Sequence, residues 1–142
     1  LFNEYEIVFI VRPDVDETET MAALTRISDA VTELGGHILL REDWGSRKLA
    51  YPLKKNVRGR YWMLVVVTPA SSILEIERRM RLDDRLLRFL TVKIEDVLDV
   101  PAHLAAAQES GRAQAEIRRR IEVEEEEPED DDYEMADLGA LD

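Results

Sequence analysis

Between Arg47 and Arg88 the sequence gathers side chains suited to holding phosphates and stacking on bases. Arg47-Lys48, Lys54-Lys55, Arg58, Arg60, Arg78-Arg79, Arg81, Arg85 and Arg88 supply the cations, and Tyr51, Tyr61 and Trp62 are interleaved with them. A guanidinium grips a phosphate through two parallel hydrogen bonds and an aromatic ring gives a base a platform, so the mixture suits RNA. Taken singly, Arg78 or Arg79 reads as part of a solvated helix face. The cluster from Lys54 to Arg60 reads as a polar, basic hairpin loop, and hairpin tips carry function more often than spare charge.

Other chemistry lacks its residues. The chain has no cysteine, which excludes disulfides, thiolate nucleophiles and cysteine-ligated metal centres. His37 and His103 are far apart in sequence, and neither has a second ligand at helical spacing, so no metal site is expected. The six glycines form no phosphate loop, and Ser46 after Gly45 lacks a nucleophile-elbow pattern. No pair of carboxylates is marked out as acid and base. The expectation is a protein with no catalytic residues, no cofactor and no small-molecule substrate.

A net charge of −12 argues at first against an RNA partner, but the charge is unevenly placed. Residues 1–40 carry −6, residues 41–93 carry +7, residues 94–101 carry −3 and residues 102–142 carry −10. A local basic cluster, not the whole-chain sum, decides whether a phosphate backbone docks. No apolar run approaches the ~20 residues that span a bilayer, so no membrane partner is expected. No signal-peptide core opens the chain, and Leu1 in place of Met leaves room for preceding residues or a removed targeting segment.

The elements that must hold the basic cluster follow from hydrophobic period. Tyr5 to Val11 reads as a strand ended by Arg12-Pro13-Asp14. Asp16 and Glu19 have capping-box spacing, and Met21, Leu24, Ile27, Val31 and Leu34 form one helical face that Gly35-Gly36 terminates. Ile38 to Trp44 is a second strand, with a bulge or bend at Gly45 and extended again over Lys48 to Tyr51, and Pro52 indicates a sheet edge. Tyr61 to Val67 is a third strand, closed by Thr68-Pro69. Ser72 and Glu75 suggest a second capping box before a helix buried through Ile73, Ile76 and Met80. Leu86 to Ile94 is the fourth strand.

The order β-α-β-β-α-β predicts an α+β, ferredoxin-like fold, a four-stranded antiparallel sheet with two helices on one face. Tyr61–Val67 is apolar on both faces, so the other face of the sheet is expected to meet a partner or the returning C-terminal segment. The domain is expected over residues 4–97. Residues 98–121 form an extension that becomes helical when docked, and residues 122–142 a disordered tail with ten carboxylates between Glu122 and Glu134.

Three segments carry a family resemblance. Gly45-Ser46-Arg47-Lys48-Leu49-Ala50-Tyr51-Pro52-Leu53-Lys54 resembles the signature of bacterial ribosomal small-subunit protein six, apart from Leu53 where isoleucine is commoner. Tyr5 to Pro13 resembles that family's opening strand, and Arg81 to Lys93 its last helix-to-strand segment. The resemblance implies a non-enzymatic component of the small subunit, on a bacterial or organellar ribosome. It further implies binding to the central domain of 16S-type rRNA, pairing with small-subunit protein eighteen and proximity to other small-subunit proteins. The residues expected at the RNA are Arg47, Lys48, Lys54, Lys55, Arg58, Arg60, Arg81, Arg85 and Arg88. Trp44, Tyr51 and Trp62 are expected at the partner protein, as large anchors of the type that dominates interfaces.

Two other kinds of protein share this element order. An RNA-recognition motif wants a stacking aromatic where Arg60 stands and a small residue where Tyr61 stands. An acylphosphatase-like enzyme, or a ligand-binding regulatory domain, wants a glycine-rich anion loop after the first strand. Arg12-Pro13-Asp14-Val15-Asp16 is instead stiff and acidic.

Overall fold

The computed structural model describes residues 1–107. In chain order they form β1 (Phe2–Val11), α1 (Glu17–Glu33), β2 (His37–Leu53), β3 (Asn56–Pro69), α2 (Ile73–Arg81) and β4 (Leu86–Val97). A further helical stretch occupies residues 100–107. The strands make one antiparallel sheet in the order β2-β3-β1-β4, with β1 and β3 central and β2 at an edge, as Pro52 requires. This is the ferredoxin-like arrangement that the element order predicted.

Strand alternation decides what each face receives. Tyr5, Ile7, Phe9 and Val11 of β1 and Trp62, Leu64 and Val66 of β3 point to one side, where Leu24, Ile27 and Val31 of α1 and Ile76 and Met80 of α2 meet them. Phe9 and Ile7 are wholly buried there, and each such side chain contributes roughly 1.5–3 kcal/mol. α1 begins as expected: the Asp16 carboxylate accepts from the Glu19 N–H at 2.8 Å. It stops at Gly35, whose φ of 89° suits glycine.

Two local expectations are corrected. Ser72 does not cap α2. A short 3₁₀ turn, Ala70–Ser72, has already brought Ser72 into helical dihedrals, and its hydroxyl instead donates to the Leu34 carbonyl at 3.0 Å, tying α2 to the end of α1. At Gly45 the expected irregularity is present: β2 continues through it, with φ of 80° and a shift of register against β3. The supposed loop from Lys54 to Gly59 is a turn of two residues only, because Asn56 already pairs with Leu53 and β3 starts there.

Candidate nucleic-acid and partner interface

The long β2–β3 hairpin carries most of the basic residues. Its tip is Lys54-Lys55, both at positive φ (48° and 68°), the backbone of a two-residue I′-type turn. Their ammonium groups make no hydrogen bond or ion pair among the described residues. Behind the tip, the Arg58 Nε donates to Ser46 Oγ at 3.1 Å across the ladder, and Lys48 pairs in register with Arg58. On the opposite face of the hairpin the Arg47 guanidinium lies 5.3 Å from the Trp44 ring and 5.8 Å from the Tyr61 ring. Burial, outweighing the opposing charges of Arg47 and Arg88, holds the Tyr61 phenol above its ordinary pKa of 10.0, so it stays a neutral donor.

The remaining arginines divide by what they touch. Arg88 donates to the Tyr51 hydroxyl at 2.5 Å, which joins β4 to the hairpin on the helix-free face. Arg60 is held by Asp43, and Arg81 lies 5.6 Å from the Phe89 ring. Arg85 departs furthest from expectation. It forms two hydrogen bonds of 2.9 Å to the Asp83 carboxylate and reaches the Glu19 carbonyl and carboxylate at 3.3 and 3.2 Å. It is a structural tie between α1 and the α2–β4 turn, and its fork is not free for phosphate. Among the expected anchors, Tyr51 is exposed and Trp44 is half-buried, its indole N–H donating to Glu42 at 2.8 Å. Trp62 is in the core under the helices, only 8% exposed, because its place in the β3 register turns it away from the free face.

That free face is closed at the hairpin end by Ile10, Leu49 and Leu87, with Leu53 and Tyr61 against them. Towards β4 it leaves Leu90, Val92 and Ile94 exposed by 58%, 44% and 47%. Sequence reasoning passed over this stripe, although alternate apolar residues on an edge strand were its signal. His103, isolated in the sequence, comes within 2.5 Å of Glu4, so part of the extension also returns to this face. Residues 108–142, including the acidic tail, lie outside the described residues.

Arg12, the group an acyl-phosphate site would need, is engaged by both oxygens of Asp14 at 3.1 Å and by the Asp84 carbonyl. A ferredoxin-like sheet with a basic hairpin arm and an exposed apolar strip on its free face presents surfaces suited to binding. The sequence pattern of the family described as Ribosomal protein S6 matches residues 4–93, and the chain belongs to that family. The small ribosomal subunit protein bS6 of Geobacter sulfurreducens is 43% identical over 109 residues, covering 77% of this chain and 93% of its own. That of Citrifermentans bemidjiense is 44% identical over 98 residues, covering 69% and 73%. The crystal structure of 30S ribosomal protein S6 from Thermotoga maritima superposes with a TM-score of 0.63 at 25% identity, over 80% of this chain and 99% of that one. The family is structural, which removes the enzyme and regulatory-domain alternatives.

Proposed function

We propose that this chain, a structural constituent of the small ribosomal subunit in the bacterial cytoplasm, binds the central domain of 16S-type rRNA through its β2–β3 hairpin. The same reading has small-subunit protein eighteen cover the free face of the sheet. The observation that carries the RNA assignment is the pair Lys54 and Lys55, two cations without acidic partners among the described residues at the end of a rigid arm. Arg58 and Lys48 continue the charge along one face of that arm, and Arg47 with Trp44 and Tyr61 offers a stacked guanidinium on the other. For the protein partner, the exposed Leu90, Val92 and Ile94 give an apolar strip, and Glu6, paired with Val92, places a carboxylate beside it for a basic partner.

The test is a salt titration of binding to a central-domain rRNA fragment. Lys54→Glu, Lys55→Glu and Arg58→Glu together should flatten the log–log salt slope by about 2–3, roughly one for each phosphate no longer neutralised. An unchanged slope removes the hairpin from the RNA surface. For the partner, Val92→Glu should abolish co-purification of a small basic subunit protein while leaving that slope unaltered.

A further inference from the structure

We propose that Glu4, Glu95 and His103 form a site for one divalent metal ion of the zinc class, which clamps the C-terminal extension onto the sheet. Glu4 of β1 and Glu95 of β4 are direct cross-strand partners and so project from the same face. Carboxylates placed opposite one another repel, and the position favours a cation between them. Lys93, two residues before Glu95, is held by Asp96 at 2.8 Å and supplies none. The group that does approach is an imidazole. His103 Nε2 is 2.5 Å from Glu4 Oε1 and 3.9 Å from Glu95 Oε2, and donor atoms of all three residues lie within 4.8 Å of one another.

The dimensions and the donor types both fit zinc. Bonds of about 2.0–2.2 Å in a tetrahedron set donors about 3.3–3.6 Å apart. The two distances from Nε2 fall on either side of that spacing, so an ion would replace the direct Glu4–His103 contact, widening it by about 1 Å, and draw Glu95 in by a small rotation. Glu95 has the freedom to rotate, its side chain being 56% exposed, while those of Glu4 and His103 are 15% and 21% exposed. The fourth position then opens on the Glu95 side to water. One imidazole and two carboxylates neutralise a divalent charge, and a nitrogen donor disfavours calcium and magnesium, which take oxygen ligands.

The ligands are also mounted on fixed backbone. Glu4 and Glu95 sit in a hydrogen-bonded ladder. His103 sits on the helical residues 100–107, whose start is held by the Asp99 carboxylate accepting from the Ala102 N–H at 3.1 Å and the Asp99 carbonyl accepting from the His103 N–H at 2.9 Å. An ion at this point joins β1, β4 and the extension, whose ligands are 99 residues apart at their widest, and fixes the extension beside the exposed strip of β4.

The experiment is titration of the whole chain with Zn²⁺ by calorimetry, and with Co²⁺ by visible absorption. One tight site is expected, with the intense bands of a low-coordinate cobalt centre, and zinc should shift the imidazole resonances of His103 but not of His37. His103→Ala and Glu95→Gln should each weaken this site at least about tenfold. Glu95→Gln alters a solvent-exposed side chain, so it reports on ligation even if His103→Ala loosens the extension. In the unaltered chain zinc should slow amide exchange in residues 100–107, an effect absent in Glu95→Gln. Zinc binding of undiminished affinity in both variants, attributable to the carboxylates of residues 122–134, overturns the proposal, as does an unperturbed His103.

Discussion

Lys54 and Lys55 occupy backbone that costs an ordinary residue about 1–2 kcal/mol apiece, at positions where Asn-Gly is the favoured pair. Strain of this kind persists where a side chain is needed more than the stability it forfeits. Lys54→Asn with Lys55→Gly should therefore raise the stability of the chain by about 1 kcal/mol, seen as a higher Tm, while weakening rRNA binding. Opposite signs in the two measurements separate function from folding, and a variant that loses both contradicts the assignment. Asp83 shows the complementary case. Burial pushes its carboxyl up from the ordinary 3.8, but hydrogen bonds from the Arg85 side chain and backbone outweigh this and leave it lowered. Arg78 and then Arg79 pull Glu75 from 4.5 to about 2. Both groups are depressed, so their contribution is complete above the ordinary carboxylate range and is lost as pH falls from about 4.5 towards 2. Arg85→Ala strands the buried Asp83 charge at a cost of about 2–4 kcal/mol. Urea unfolding at pH 7 and pH 3 should show that loss at neutral pH and a shallower decline with acid than in the parent chain.

The β2–β3 hairpin is the element on which the functional reading turns. Its reach comes from register, since the strands pair from His37 with Val67 to Leu53 with Asn56, carrying basic side chains away from the helix-covered core. Gly59 makes this course compatible with β1. A Cβ there would lie 2.3 Å from Ile10 Cγ2 and 3.4 Å from the Val11 carbonyl oxygen. Gly59→Ala should destabilise by about 1–3 kcal/mol through overpacking of the Ile10, Leu49 and Leu87 cluster, measurable by denaturant midpoint. Faster amide exchange should appear first in the hairpin. The strands, the first helix and its Asp16 cap were legible because alternation and capping are written within a few residues of one another. The hairpin turn was not. Nothing local in Lys54-Lys55 advertises positive φ, so the polar run to Gly59 looked like loop.

Across the whole chain, a basic region of +7 is joined to a C-terminal segment of −10. On the proposed function, such a tail would compete intramolecularly for the surface assigned to rRNA. Truncation after Ile121 should tighten binding to unrelated RNA at low salt, and the difference should vanish as salt is raised. No change at low salt makes the tail a solvating segment and nothing more.

Element order, the ferredoxin-like class, the basic middle hidden in an acidic chain and the family could all be read from the amino-acid order alone, because each is a local pattern or a succession of them. Faces could not. In a strand a shift of one residue exchanges inside for outside, and the β3 register put Trp62 in the core and Tyr61 beside Arg47 on the free face. Nor could the order of residues say which distant charges meet. Arg85 looked available for phosphate until the turn after α2 placed Asp83 and Glu19 around it, and His103 looked alone until the extension brought it to Glu4 and Glu95. Those contacts join separate elements, and only the folded chain fixes their distances.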